Sequence, residues 1–295
     1  MQKVFIIGGT TFDHIVHLDK LPQPVPQTIH RAVFHEGTGS TGSGKALNLH
    51  RLGLPLMFYS VLGNDFYGDY IKNDLAAAGV NAFYDYDPAG TERHINIMDA
   101  GGNRISMFVT QSSETIAYDF DKINNAIDSS DILVLNIISY CRGLVSIVKA
   151  SGKPVWTDLH DFDGKNSYHQ DFIEAAQYIH LSSDNLPDYK TLMQQFIEKG
   201  KKLVVCTHGK AGATALTSQG EWIEQPALLD YPMVDANGAG DAFFSGFLFG
   251  WMRNEPVKTC MQWGTVCAGL CIGSTQLAAE SLSNELLQQE WKKNF

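Results

Sequence analysis

The chain predicts an α/β fold: a mostly parallel central sheet with helices on both faces, in three layers, and a β-hairpin outside the alternation. Short apolar runs alternate with segments of helical periodicity, the pattern of a parallel sheet covered on both sides. Glycine-rich turns fall directly after strand-like runs, where ligands of such sheets sit. Residues 91–110 break the alternation, because Arg93 to Asp99 and Arg104 to Val109 flank Gly101-Gly102-Asn103. That arrangement predicts a β-hairpin.

Val4-Phe5-Ile6-Ile7 opens the chain as a strand and runs into Gly8-Gly9. His14 to His35, with Pro22, Pro24 and Pro26, stands outside the alternation. A glycine-rich run from Gly37 to Gly44 leads into a helix over Lys45–Leu52. Further strands are predicted at Met57–Val61, Ile132–Leu135, Val155–Thr157, Tyr178–Leu181 and Leu203–Thr207. Further helices are predicted at Tyr67–Ala78, Lys122–Asp128, Tyr189–Lys199, Ala239–Met252 and Leu282–Lys292. No repeat, low-complexity tract or long linker interrupts them. At 295 residues the chain fits one large domain, or one domain with an insertion.

Hydrophobic residues make up 44% and charged residues 18%, enough apolar material for a globular core. A net charge of −10 argues against a nucleic-acid-binding surface. The absence of a signal-like start and of a run long enough to span a bilayer points to a cytoplasmic protein. The five cysteines form no C-x-x-C pair, and Cys267 and Cys271, four apart in an apolar helical stretch, are expected as core residues. His160, His169 and His208 lack the close spacing of metal ligands.

The most specific local signal is Gly238-Ala239-Gly240-Asp241 ahead of the apolar segment Ala242 to Trp251. A helix N-terminus without bulky side chains presents free N–H groups and a favourable dipole to an anion. Asp241, in the first turn, is a poor phosphate ligand but can take a proton from an attacking hydroxyl. Two rival nucleotide motifs are incomplete. Gly39-Ser40-Thr41-Gly42-Ser43-Gly44-Lys45 matches G-x-x-x-x-G-K, but Ala46 stands where Ser or Thr must follow, and the strand at Ile132–Leu135 ends in Asn136 rather than Asp. Gly8-Gly9 does not complete G-x-G-x-x-G.

Six segments in order resemble the PfkB/ribokinase family of carbohydrate kinases. They are Ile6-Ile7-Gly8-Gly9 with Asp13 and Leu21-Pro22, the run from Gly37 to Gly44 ending in Arg51-Leu52-Gly53, and Gly63-Asn64-Asp65-Phe66-Tyr67-Gly68. Asn185-Leu186-Pro187-Asp188, Thr207-His208-Gly209-Lys210-Ala211-Gly212 and the segment around Asp241 complete the series. The resemblance implies a single ribokinase-like domain over residues 1–295, with segments about 14–35 and 91–110 building a small sheet that lids the sugar and forms a homodimer contact in several relatives. It implies an ATP- and Mg²⁺-dependent kinase acting on a hydroxyl of a sugar-like small molecule. A nucleoside or pseudouridine kinase, and a silent ligand-binding relative, are the alternatives. A sugar-phosphate kinase fits less well, since the N-terminal half has no Arg/Lys cluster for a second phosphate.

Carried over by position, the resemblance makes Asp241 the general base and Gly238, Ala239 and Gly240 an anion hole. It places Asp13, Gly39, Gly42, Gly44 and Lys45 at the sugar. Asn185, Thr207, Gly209, Gly212 and Thr265 fall at the nucleotide, Asp188 at Mg²⁺, and Asp235 and Asn237 at a monovalent cation such as K⁺. Asp158, at a strand end, reads equally as a site acid or a cap, and Arg93, His94 and Asn96 equally as substrate contacts or a solvated face. Two departures stand out: Gly44 falls where many relatives carry an Asn, and Asp188 is one methylene shorter than the usual Glu.

Overall fold

The computed structural model describes residues 2–295. A nine-stranded sheet has the order β13-β12-β11-β10-β9-β8-β1-β4-β5. Its centre is β1 (Val4–Ile7), flanked in parallel by β4 (Leu56–Leu62) and β8 (Ile132–Leu135). β5 (Ala82–Tyr86) extends one side. β9 (Val155–Asp158), β10 (Tyr178–Ser182) and β11 (Leu203–Thr207) extend the other, still in parallel. β12 (Ala213–Thr217) and β13 (Trp222–Gln225) close that edge as antiparallel strands.

Successive strand residues point to opposite faces, so one run of apolar residues feeds two cores. From β1, Val4 and Ile6 enter the core under α1 (Thr41–Arg51), α2 (Phe66–Ala77), α7 (Ala239–Met252), α8 (Val257–Ile272) and α9 (Asn284–Asn294). Phe5 and Ile7 enter the opposite core under α3 (Phe120–Asp128), α4 (Val145–Ala150), α5 (Gln170–Ala175) and α6 (Tyr189–Glu198). The three layers match the expected class. Cys267 and Cys271 are buried free thiols, as expected of core residues.

The second sheet has the order β3-β2-β6-β7. The hairpin is β6 (Arg93–Asp99) with β7 (Arg104–Thr110). Its partners β2 (Thr11–Leu18) and β3 (Val33–Gly39) lie further toward the glycines than residues 14–35 suggest, so Asp13 sits inside a strand rather than in a loop after one. Register places Thr11, Asp13, Ile15 and His17 of β2 on one face with His35 and Gly39 of β3, His94 and Asn96 of β6, and Arg104 and Ser106 of β7. This face is polar. The other carries Phe12, which packs on Tyr67 and Tyr70 at the start of α2.

β1 is the point where strand order reverses, the position at which sheets of this kind form a ligand crevice. Gly8 and Asn136 face each other across it, and a Cβ on Gly8 would overlap the Asn136 side chain. Helix α7, which carries Asp241, lies against α8 at glycine. A Cβ on Gly246 would stand 2.6 Å from the Trp263 carbonyl and 2.7 Å from Cys267 Sγ. Gly246→Val should therefore overpack this contact and cost about 1–3 kcal/mol. Thermal unfolding is the measurement, and an unchanged midpoint would show that α7 can move aside.

Candidate active site

The first turn of α7 begins at a glycine-rich, left-handed cap. Gly238 caps it in the left-handed conformation (φ 79°), and a Cβ there would meet the Leu277 carbonyl at 3.0 Å. Only glycine accommodates both demands easily. Gly240 is exposed, with nothing within 4 Å of where its Cβ would be. Ala239 N–H donates a long bond to the Ala236 carbonyl (3.3 Å), so it is less available than its two glycine neighbours.

Asp241 is buried against Lys45. The Lys45 ammonium, with no exposed surface, lies 2.5 Å from Asp241 Oδ1 and 3.1 Å from Asp158 Oδ2. It also sits 5.0 Å from the centre of the Phe244 ring. The structure thus brings Lys45 to Asp241 and not to an open surface. Asp158 is a partner in this buried charge cluster through Oδ2, while its Oδ1 caps the strand end by accepting the His160 N–H (3.0 Å). Burial opposes the charge on Lys45, but the two carboxylates outweigh it and raise its pKa above the ordinary lysine value. The carboxylates diverge. Burial opposes ionisation of Asp158, yet Lys45 holds it well below the usual carboxylate range. Burial pushes Asp241 above its ordinary value, against the pull of the same lysine. Such divergence separates a permanent counter-ion from a group able to take a proton.

The glycine-rich run is not a phosphate loop. Helix α1 begins inside it, at Thr41, and residues 42–48 are buried. Each glycine meets something specific. A Cβ on Gly39 would overlap the Asp13 carboxylate, one on Gly42 would overlap the Gly9 backbone, and one on Gly44 would stand 2.9 Å from Asp241 Oδ2. One segment therefore passes directly under both carboxylates. Gly44 is the space that Asp241 occupies.

Asp13 accepts hydrogen bonds from Thr11 Oγ1 (2.6 Å) and Asn96 Nδ2 (3.0 Å), and Ser106 Oγ donates to Asn96 Oδ1 (2.7 Å). Burial raises its pKa, while Thr11 and His94 counteract this. Asn96 is thus a buried partner of Asp13 on the polar face. Arg93 instead lies over the Tyr67 ring, and His94 bonds Glu92 and packs on Phe108.

On the other side of the crevice, β11 ends at Thr207. The turn at Gly209 (φ 53°) and Gly212 (φ 103°) follows, and a Cβ on Gly212 would overlap the Gln225 carbonyl. His208 is held between Ser183 Oγ (2.9 Å) and Thr214 Oγ1 (3.0 Å), beside an open cleft of about 420 Å³ that Leu186, Gln225 and Pro226 also line. Asn185 is exposed and donates to Asp161 (2.9 Å). Asp188 accepts from Thr191 N–H (3.4 Å) and caps α6. Thr265 is buried in α8 and its hydroxyl bonds the Met261 carbonyl. Asp161, Asn136 and His180 border the site without any motif to announce them. His180 is fully enclosed beside Phe244, and its pKa is pushed down to about 3 by burial.

The helix start, the buried acid beside it and the sheet face carrying Asp13 and Asn96 sit in a ribokinase fold. The pfkB family carbohydrate kinase profile matches residues 1–284, and the chain belongs to that family. It is 32% identical over 269 residues to an acarbose 7(IV)-phosphotransferase of an Actinoplanes species, covering 89% of each chain. It is 23% identical to a ribokinase of Bacillus subtilis, covering 93% of this chain and 94% of that one. Among solved structures, a microbiome-derived acarbose kinase superposes with a TM-score of 0.87 at 27% identity, over 99% of both chains. An Arabidopsis thaliana ribokinase complexed with ribose and ATP superposes with a TM-score of 0.80 at 18% identity, over 99% of both, a likeness of fold. The protein is an ATP-dependent sugar kinase.

Two outcomes test this geometry. Gly44→Asn, which restores the residue many relatives carry, should push Asp241 off position and lower kcat by up to about a hundredfold, the cost of a misplacement near 1 Å. An unchanged kcat with a folded protein would refute the tight approach. Lys45→Met should leave two buried carboxylates without their counter-charge and destabilise by about 3–5 kcal/mol. Chemical denaturation reads that loss. Without the lysine, Asp241 should bind its proton more tightly, so the acid limb of the pH–rate profile should move to higher pH.

Proposed function

We propose that this kinase phosphorylates a hydroxyl of acarbose or a closely related sugar, with Asp241 as general base. The observation that carries the mechanism is the single segment Gly39–Gly44, which backs onto Asp13 at one end and Asp241 at the other. The acceptor is supported by the 32% identity to the acarbose phosphotransferase.

Asp13 and Asn96 hold acceptor hydroxyls from the polar face of the small sheet, which acts as a lid. Asp241 takes the proton of the reacting hydroxyl. That oxygen forms a bond to the γ-phosphorus of ATP as the bond to the bridging oxygen breaks and ADP departs. The N–H groups of Gly238 and Gly240, with the weaker donor Ala239, meet the charge on the transferring group. Thr207, Gly209, Gly212, Asn185 and Thr265 form the nucleotide side. Asn185, Asp161 and Asp188 offer the hard oxygen donors that suit Mg²⁺. When bound, the ion neutralises charge on the phosphates. The carbonyls of Asp235 and Asn237 suit a monovalent cation such as K⁺. A homodimer through the outer face of the lid is part of the same reading, since Phe34, Ile105, Met107 and Val109 are exposed there.

The first test is ADP release from Mg-ATP with acarbose, ribose, other sugars and nucleosides as acceptors. Turnover should be highest with acarbose or a related sugar, and a preference for a nucleoside would overturn the acceptor. Asp241→Asn should lower kcat at least about a hundredfold with ATP binding retained. Near-normal turnover would remove Asp241 as the base. Because burial raises the Asp241 pKa, the ionised base is lost as pH falls through a value above the usual aspartate range. The acid limb of kcat should lie there.

A further inference from the structure

We propose a binding site for a Zn²⁺-class divalent transition metal, formed by His17 and His35 of the small sheet and the side chain of Asp235 ahead of the anion hole. Among the described residues, these three form the group of His, Cys, Asp and Glu whose ligand atoms converge, all within 4.8 Å of one another. His17 Nε2, His35 Nε2 and Asp235 Oδ2 are each buried and each lack a hydrogen-bond partner. Asp235 itself is 3% exposed. A buried carboxylate oxygen and two imidazole nitrogens left unpaired together are costly as they stand, and one cation would satisfy all three.

The backbone sets up the arrangement. His35 pairs with Ile15 and Val33 with His17, so the two histidines are diagonal neighbours on one face of the sheet. Their rings stack at 5.2 Å with 16° between planes. Asp235 is fixed from the other side, because Oδ1 accepts the Asn237 N–H (2.7 Å), leaving Oδ2 directed at His17, 3.8 Å away. A tetrahedral Zn²⁺ with bonds of about 2.0–2.1 Å places neighbouring ligand atoms about 3.3–3.5 Å apart. Because each Nε2 lone pair lies in its ring plane, binding one ion requires one of the stacked rings to turn about its side-chain bonds as the three atoms close in.

The donor set is the argument for metal class. Two imidazoles and one carboxylate suit Zn²⁺ and its neighbours, whereas Mg²⁺ and K⁺ take oxygen. Three protein ligands leave a fourth position open. The ion would join the lid to the loop that carries the anion hole, three residues before Gly238. Arg104 already bridges the same two parts by donating to Asn237 Oδ1 (3.1 Å).

The test is titration of the chelator-stripped full chain with Zn²⁺ and Co²⁺ in potassium buffer, without nucleotide or sugar, so it does not depend on the kinase reading. One ion per chain should bind, Co²⁺ should give the visible absorption of a tetrahedral site, and Zn²⁺ should raise the unfolding temperature. His17→Ala and His35→Ala should each weaken binding by at least about tenfold, and the double variant should abolish the thermal shift. His14→Ala, a lid histidine paired with Glu36 at 2.8 Å, should change nothing. Absence of stoichiometric binding, unaltered binding in the double variant, or equal loss in His14→Ala would each overturn the site.

Discussion

A lysine with no exposed surface, held between two carboxylates, is the constraint on which the rest of the site depends. A charge buried in this way is tolerable only if paired in good geometry. That requirement ties α1, which supplies Lys45, to the end of β9 through Asp158 and to the first turn of α7 through Asp241. Three elements from distant parts of the chain are thereby fixed at one point. The aromatic residues below continue the same junction. Trp156 stacks on Tyr178 and packs against Phe244 and Phe247, so the faces of β9, β10 and α7 cannot shift without disturbing the ion cluster above.

With Asp241 as the proposed base, the cluster bears on how a carboxylate would deprotonate an alcohol. An isolated Asp in water, with a pKa near 3.9, is a weak base. Here one lysine serves two acids unequally. Asp158 remains charged and balances it, while burial leaves Asp241 with greater proton affinity. Transfer of a proton onto Asp241 leaves a neutral Lys45–Asp158 pair in place. The interior therefore holds no uncompensated charge after the step.

Much of the large sheet was legible from sequence, because buried parallel strands are continuous apolar runs. The predicted bounds of β1, β8, β11 and α7 coincide with those observed. The smaller sheet was legible only at its hairpin, where Gly101-Gly102-Asn103 marks the turn. β2 and β3 carry His, Asp, Thr and Gly on their polar face, so no apolar pattern distinguishes them from loop. The start of α1 was hidden for a related reason. Thr41-Gly42-Ser43-Gly44 is poor helix former by propensity, and its helix is set by packing against Gly9 and Asp241. The helix start at Gly238-Ala239-Gly240-Asp241 could be read from the sequence, and it is the first turn of α7. The partnership of Lys45 with Asp241 could not, since 196 residues separate them and neither local motif points to the other.

The missing side chain at position 44 has a physical meaning in this frame. In relatives with Asn there, the resemblance gives that residue a sugar hydroxyl to bond. In this chain the same space is filled by the Asp241 carboxylate, drawn toward α1 by Lys45 one residue further on. Lysine and glycine therefore form one device, since an Asn at 44 would displace the acid that Lys45 holds. Removing that Asn leaves Asp13 and Asn96, on the lid face, as the buried polar groups next to the glycine run. On the proposed reading, selectivity then rests on the small sheet rather than on the floor of the site. A floor without a projecting side chain restricts acceptor shape less, and this is a structural reason for a kinase of this kind to accept a sugar larger than ribose.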